Sequence, residues 1–273
     1  MAKNKNKNQT AKQSVEHDVE AFFGKNKSFA AAEAYKLLRT NIQFSFSTET
    51  KCPVIGVTSS LRGEGKSTTS INLAIALAET GKRVLLIDAD MRLPSVAEKL
   101  NLEQSPGLSN LLVEQLGMKQ KFGEVHSLDI LTAGNPPPNP SELLSSQRME
   151  SFVNEQKQNY AYIVVDLPPV TSVSDALSVS RVLDGLLIVV RGDYASKKAL
   201  NETLRQMKLA KVRIIGFVYS FAGGRGKGYY GKYGKYGKYG KYGKYSKGYG
   251  YGYGYGEKSK SANANSEKVS TAK

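Results

Sequence analysis

Ser59-Ser60-Leu61-Arg62-Gly63-Glu64-Gly65-Lys66-Ser67-Thr68 follows the apolar run Val54-Ile55-Gly56-Val57 and precedes Ile71-Asn72-Leu73-Ala74-Ile75-Ala76-Leu77-Ala78. Apolar residues before it and a buried helical pattern after it put this stretch on a strand-to-helix turn. There, backbone N–H groups and the positive end of the helix surround a polyphosphate. On this reading Ser60, Arg62, Gly63, Glu64, Gly65, Lys66, Ser67 and Thr68 hold ATP. Lys66 reaches the outer phosphates and the Ser67 hydroxyl ligates Mg2+. The strict pattern has glycine where this chain has Ser60. A glycine-rich turn that binds nothing is the bland alternative, and the flanking strand and helix argue against it.

Outward from the loop, short apolar runs alternate with longer helical patterns. The runs are Val54 to Val57, Val84 to Ile87, Leu128 to Leu131, Tyr162 to Val165, Leu186 to Val190 and Ile214 to Val218. Helices are expected over Thr68 to Thr80, part of Val96 to Gly117, Ser145 to Gln158, Ser174 to Val182 and Lys197 to Ala210. The pattern predicts an α/β fold with a doubly wound, mainly parallel sheet and helices on both faces, the architecture of a P-loop NTPase.

A further helix is expected over Phe29 to Phe46, with Ala34, Leu37, Leu38 and Ile42 as its apolar stripe. Beside that stripe Glu33, Lys36 and Arg39 recur every three residues as a charged ridge, whose default reading is a solvated face. Residues 1–27 are Lys- and Asn-rich and read as a mobile basic arm, residues 28–221 as the folded domain. The single cysteine, Cys52, leaves no intramolecular disulfide and no cysteine-based zinc site. Without an apolar run of about 18 residues or a secretion signal, membrane association is expected to come only through charge or a partner.

Two runs carry the acidic residues: Leu85-Leu86-Ile87-Asp88-Ala89-Asp90-Met91-Arg92 and Ile163-Val164-Val165-Asp166-Leu167-Pro168-Pro169. Both end strands, and ligands of open parallel sheets bind beyond the carboxyl ends of strands. Asp90 and Asp166 can therefore serve Mg2+ directly or through water, leaving Asp88 to accept a proton. An Mg-ATPase or a phosphotransferase satisfies this pattern, because water and a protein hydroxyl are both possible nucleophiles.

The last part of the chain discriminates between them. Of the net charge of +15, residues 223–273 carry +10, from twelve Lys and Arg against two Glu. Eleven of the 16 tyrosines lie here: Tyr229, Tyr230, Tyr233, Tyr236, Tyr239, Tyr242, Tyr245, Tyr249, Tyr251, Tyr253 and Tyr255. Gly-Lys-Tyr triplets and then Gly-Tyr alternation cannot bury a core, so residues 222–273 are expected to be disordered, with tyrosines free to enter an active site. The competing reading is a cationic aromatic scaffold that binds single-stranded nucleic acid or anionic lipid.

Taken together, these residues resemble the bacterial tyrosine autokinases (BY-kinases) of capsule and exopolysaccharide synthesis, in the form where the kinase is a separate cytoplasmic chain. The resemblance is carried by Ser59 to Thr68, the Asp88 to Arg92 run, Val165-Asp166-Leu167-Pro168-Pro169, Ala133-Gly134-Asn135 leading to Pro138-Asn139-Pro140-Ser141-Glu142-Leu143-Leu144, and the tyrosine cluster. It implies that Lys66 binds the phosphates, that Ser67, Asp90 and Asp166 serve Mg2+, and that Asp88 aligns or deprotonates the incoming tyrosine. It also implies a ring-like homo-oligomer using Glu33, Lys36 and Arg39, with Lys36 standing where the family's motif has Arg. A membrane-embedded activator that recruits the chain to the inner face of the membrane, and a tyrosine phosphatase, are implied as partners; no specific nucleic acid is expected. Ser220 departs from an Asn common near the adenine, and the adenine contacts are left unassigned. Leu61 replaces the extra Lys of partition and division-site ATPases, an assembly-cycling class that is the alternative enzyme reading.

Overall fold

The computed structural model describes residues 29–114, 119–121, 127–192 and 194–221. The basic arm expected over residues 1–27, the tail expected over 222–273 and all eleven tail tyrosines lie outside the described residues. Helix α1 (Phe29–Ser45) precedes β1 (Val54–Ser59), α2 (Lys66–Ala78), β2 (Val84–Asp88), α3 (Val96–Leu100), α4 (Leu108–Glu114), β3 (Gln120–Lys121) and β4 (Leu128–Leu131). Then follow α5 (Pro140–Leu144), α6 (Gln147–Gln156), β5 (Tyr162–Asp166), α7 (Asp175–Ser178), β6 (Gly185–Arg191), α8 (Lys197–Leu209) and β7 (Ile214–Ser220).

All six expected strands form, because each is an apolar run that a parallel sheet buries on both faces. The sheet has seven strands in the order β3-β4-β2-β5-β1-β6-β7, parallel throughout except for β3 against β4. One face packs Ile55, Val57, Leu86 and Val164 against Ile71, Leu73 and Leu77 of α2. The other packs Leu85, Ile87, Val165 and Ile188 against Leu108, Phe152, Val153 and Met207. After β1 the chain crosses to β2 on one side, and after β5 it crosses to β6 on the other. The crevice where the two windings part opens at the carboxyl ends of β1 and β5.

Several elements differ from expectation. The helix expected within Val96 to Gly117 is divided into α3 and α4: Asn101, left-handed at φ 52°, ends the first, and the second starts only at Leu108, after Ser105-Pro106-Gly107. The apolar stripe of α1 is narrower: Ile42 is buried and Leu38 packs on the core, but Leu37 is 58 % exposed. The short strand β3 has no apolar pattern and is held instead by charge. Lys121 lies opposite Asp129 of β4 in register, with Nζ 2.6 Å from the carboxylate.

Asp129 is buried, accepts a 2.7 Å hydrogen bond from the Tyr160 hydroxyl and lies 3.6 Å from Arg83. Burial alone would raise its carboxyl, but the Lys121 and Tyr160 hydrogen bonds and the Lys121 and Arg83 charges bring it below its ordinary value. A depressed carboxyl stabilises the fold above the unfolded value of about 3.9 and loses that contribution as pH falls through the folded one. Asp129→Asn is therefore expected to lower stability by about 1–3 kcal/mol at pH 7. The melting-temperature gap from wild type should close in acid, below about pH 4. A gap that stays constant from pH 7 to pH 3 contradicts this account.

Candidate active site

Gly63 and Gly65 adopt φ of 83° and 94°, left-handed values open to glycine at little cost. They turn the chain from β1 into α2, whose first residues, Lys66 and Ser67, begin at the crevice. Arg62, Gly63, Gly65, Lys66, Ser67 and Thr68 line one end of a cavity of about 530 Å3. Ser60 and Glu64 are instead buried in the support beneath the loop. The Ser60 hydroxyl accepts from Thr203 at 3.0 Å, and one Glu64 carboxylate oxygen accepts from the Leu61 N–H at 2.7 Å.

The carboxylates from β2 and β5 meet this loop. Lys66 Nζ lies 2.8 Å from Asp90 Oδ2, 3.6 Å from Asp166 Oδ2 and 3.2 Å from the Ser67 hydroxyl. Asp88 and Asp166 are register partners on adjacent strands. Burial alone would lower the Lys66 ammonium, but the Asp166 and Asp90 charges raise it above its ordinary value, so it stays charged. Burial, then the Asp166 charge, pushes the Asp88 carboxyl up to about 7. Burial raises Asp166 as well.

Asp88 is not the unengaged carboxylate that the sequence leads one to expect. Its Oδ1 accepts from Asp90 N at 3.1 Å, and its Oδ2 from Ser95 N at 3.3 Å and Val96 N at 3.1 Å. It thereby ties the β2–α3 connection to the entry of α3. Asp90 lines the cavity and also accepts from Leu93 N.

The charged ridge on α1 divides too. Lys36 pairs with Glu33 at 2.7 Å on the exposed face, whereas Arg39 turns inward and donates to the carbonyl of Ala76 on α2 at 2.7 Å.

The residues around Ser67 suit a hard divalent cation. Asp166 Oδ2 is fully buried and has no hydrogen-bond partner among the described residues. Three carboxylates stand around Lys66, and hydroxyl and carboxylate oxygens are the donors that Mg2+ takes. Among the described residues no group of three or more His, Cys, Asp or Glu is arranged to hold a metal alone. An ion here would thus be shared with phosphate oxygens and water, the usual habit of Mg2+.

Two supports were not read from the sequence. Ser70 donates to Asp166 Oδ1 at 2.9 Å, fastening α2 to β5. Arg92 forms a two-pronged pair with buried Asp175 at 2.7 and 3.2 Å, and Ser141 also donates to Asp175. Arg92 was visible in its motif, but nothing local marked Asp175 as its partner. At the far side of the loop, Ser220 donates to the Glu64 carbonyl at 2.6 Å, and Phe221 lines the cavity with the Arg191 guanidinium 4.1 Å from its ring.

A parallel sheet, a left-handed glycine turn and a lysine at the start of the following helix define a P-loop NTPase. Consistent with that class, the ParA family model, described as NUBPL iron-transfer P-loop NTPase, matches residues 51–237. Tyrosine-protein kinase YwqD of Bacillus subtilis (strain 168) is 38% identical over 190 residues, covering 68% of this chain and 79% of the relative. Putative tyrosine-protein kinase CapB of Staphylococcus aureus is 33% identical over 189 residues, covering 68% and 82%. The solved kinase domain of Escherichia coli tyrosine kinase ETK superposes with a TM-score of 0.68 at 30% identity, covering 77% of this chain and 84% of that one. The chain belongs to the bacterial tyrosine-kinase family. Its activity is that of a protein-tyrosine kinase, transfer of the terminal phosphoryl group of ATP to tyrosyl protein.

Proposed function

We propose that this kinase uses ATP with Mg2+ to phosphorylate the tyrosine cluster of its own chain, one subunit acting on the tail of another. The observation that carries the reading is the convergence of Lys66, Asp90 and Asp166 beside Ser67, in a chain that holds eleven tyrosines after residue 228. In the step, the phenolic oxygen bonds to the terminal phosphorus as the bond to the ADP oxygen breaks. ADP leaves with the electron pair, and the phenolic proton passes to a carboxylate. Asp88 fills that role if the tyrosine displaces one of its backbone hydrogen bonds. Lys66 and the loop N–H groups neutralise charge on the transferring group. Ser67, Asp90 and Asp166 would hold the metal, which would offset phosphate charge.

Each added phosphate brings about -1.5 to -2 charges, so on the order of six cancel the +10 of residues 223–273. Loss of that charge is the proposed signal for separating subunits, with Glu33 and Lys36 of α1 at their contact and Arg39 fastening α1 to α2 behind them. By its resemblance, the chain works in the cytoplasm at the membrane, under an embedded activator and opposed by a phosphatase, to regulate capsule or exopolysaccharide synthesis. Among the described residues no helix is long and apolar enough to cross a membrane.

Incubating the full chain and an activator fragment with labelled ATP, in Mg2+ or in EDTA, tests this reading by mass spectrometry. Label between Tyr229 and Tyr255 that disappears in EDTA is the expected result. Free phosphate without phosphotyrosine supports an assembly-cycling ATPase instead. Neither product leaves the cationic scaffold.

A further inference from the structure

The cavity that begins at the phosphate loop continues beyond Asp90 into a part with different walls. The β2–α3 connection contributes Leu93 and Pro94 to its lining, and the segment after β5 contributes half-buried Val173 and the buried Pro168 and Pro169. Leu93 is 52 % exposed, an open apolar side chain a few residues from the most polar cluster in the fold. Both segments are pinned. Leu93 N donates to Asp90 Oδ1 at 3.1 Å, and the Pro168 carbonyl accepts from Thr58 of β1 at 2.7 Å. The slot is therefore held by Asp90 of the phosphate end and by β1, and its proline rings carry little conformational freedom.

Such a lining suits a flat apolar ring whose polar tip reaches the phosphate end of the cavity, which is the shape of a tyrosine side chain. Glu98, in the first turn of α3, lines the same cavity and is exposed. Its carboxylate makes no ion pair among the described residues, whereas Arg92, the neighbouring cation, is paired with Asp175. Lys99 stands next to it on the wall, and Arg62 lies at the phosphate end.

We propose that Leu93 and Pro94, together with Pro168, Pro169 and Val173, form the slot for the acceptor phenol, and that Glu98 in the same lining selects tyrosines preceded by lysine. The occupant is the triplet segment of a second copy of this chain. Tyr233, Tyr236, Tyr239, Tyr242 and Tyr245 each follow a lysine, whereas Tyr229, Tyr249, Tyr251, Tyr253 and Tyr255 each follow a glycine. The tail thus contains both a preferred and a disfavoured set, and Glu98 orders their modification. This inference rests on the tail being the acceptor, as proposed above.

The test uses the full chain as enzyme with two synthetic acceptors, (Gly-Lys-Tyr)4 and (Gly-Gln-Tyr)4, and reads kcat/KM for each by mass spectrometry. An exposed charge pair supports a preference of about two- to fivefold for the lysine peptide at low salt, shrinking as salt is added. Glu98→Gln is expected to bring the two rates together, and Glu98→Lys to invert their order. On the chain's own tail, the five lysine-preceded tyrosines should label ahead of the five that follow glycine. Equal rates on both peptides, or a lysine preference that survives Glu98→Gln, overturn the inference and leave the proposed function intact. No phosphotyrosine on either peptide or on the tail overturns both.

Discussion

Lys66→Met is expected to lower phosphotyrosine formation by about 10²–10³-fold, the cost of removing one preorganised donor from a developing anion. The substitution takes the ammonium from its position 2.8 Å from Asp90 and 3.6 Å from Asp166. It leaves Asp88, Asp90 and Asp166 together without the charge that offsets them. Breaking a buried pair by removing one partner costs about 3–5 kcal/mol, so a melting curve must accompany the assay. In Lys66→Met/Asp166→Asn one of the stranded charges is gone, and part of the lost stability should return without activity. Because Asp166 is itself placed at the metal, the double variant reads stability only, and the transfer lost by Lys66→Met alone is read at a temperature where its melting curve shows it folded. Lys66→Met protein that keeps more than about a tenth of wild-type transfer would remove Lys66 from the proposed chemistry.

Replacing the eleven tail tyrosines with phenylalanine in the full chain should abolish self-labelling while leaving the enzyme able to phosphorylate a Gly-Lys-Tyr peptide. The reason is chemical: phenylalanine keeps the ring and lacks the nucleophilic oxygen. Mixing this variant with Lys66→Met chains then separates the two routes of transfer. The first component has an intact site and no acceptor, and the second has acceptors and a disabled site. Label on the Lys66→Met tails is expected, and can arise only between subunits. If neither chain is labelled while wild type alone labels itself, transfer occurs within one chain, and the intersubunit reading fails.

Much of the architecture was legible because the strands are buried on both faces. Val54 to Val57, Val84 to Ile87 and Tyr162 to Val165 are apolar runs with no competing use, and the glycines between β1 and α2 have few explanations other than a left-handed turn. The three aspartates were placed by the same logic, since strand ends in one parallel sheet arrive at one rim. What the sequence concealed was partnership between distant backbone and side-chain groups. Asp88 was read as unengaged because the amides of Ser95 and Val96 that it accepts from carry no signature. Arg39 was read as part of an exposed ridge because its acceptor is the carbonyl of Ala76, 37 residues on. Leu37 matched the apolar spacing and still faces outward, because α1 is covered on one side by a single helix and needs only a narrow seam. The slot beside Asp90 was hidden for a related reason: Leu93 and Pro168 come to line one cavity only after β2 and β5 are laid side by side.

Helix α2 starts at Lys66 and Ser67 and, three turns later, its Ala76 carbonyl receives the Arg39 guanidinium from α1, while Tyr35 of α1 hydrogen-bonds Thr69 near its start. The grip on the nucleotide and the first helix of the described chain are therefore joined by one rigid rod with two clamps. A neighbour pulling on Glu33 and Lys36 would load that rod along its length, so docking and phosphate release should register in each other's rates.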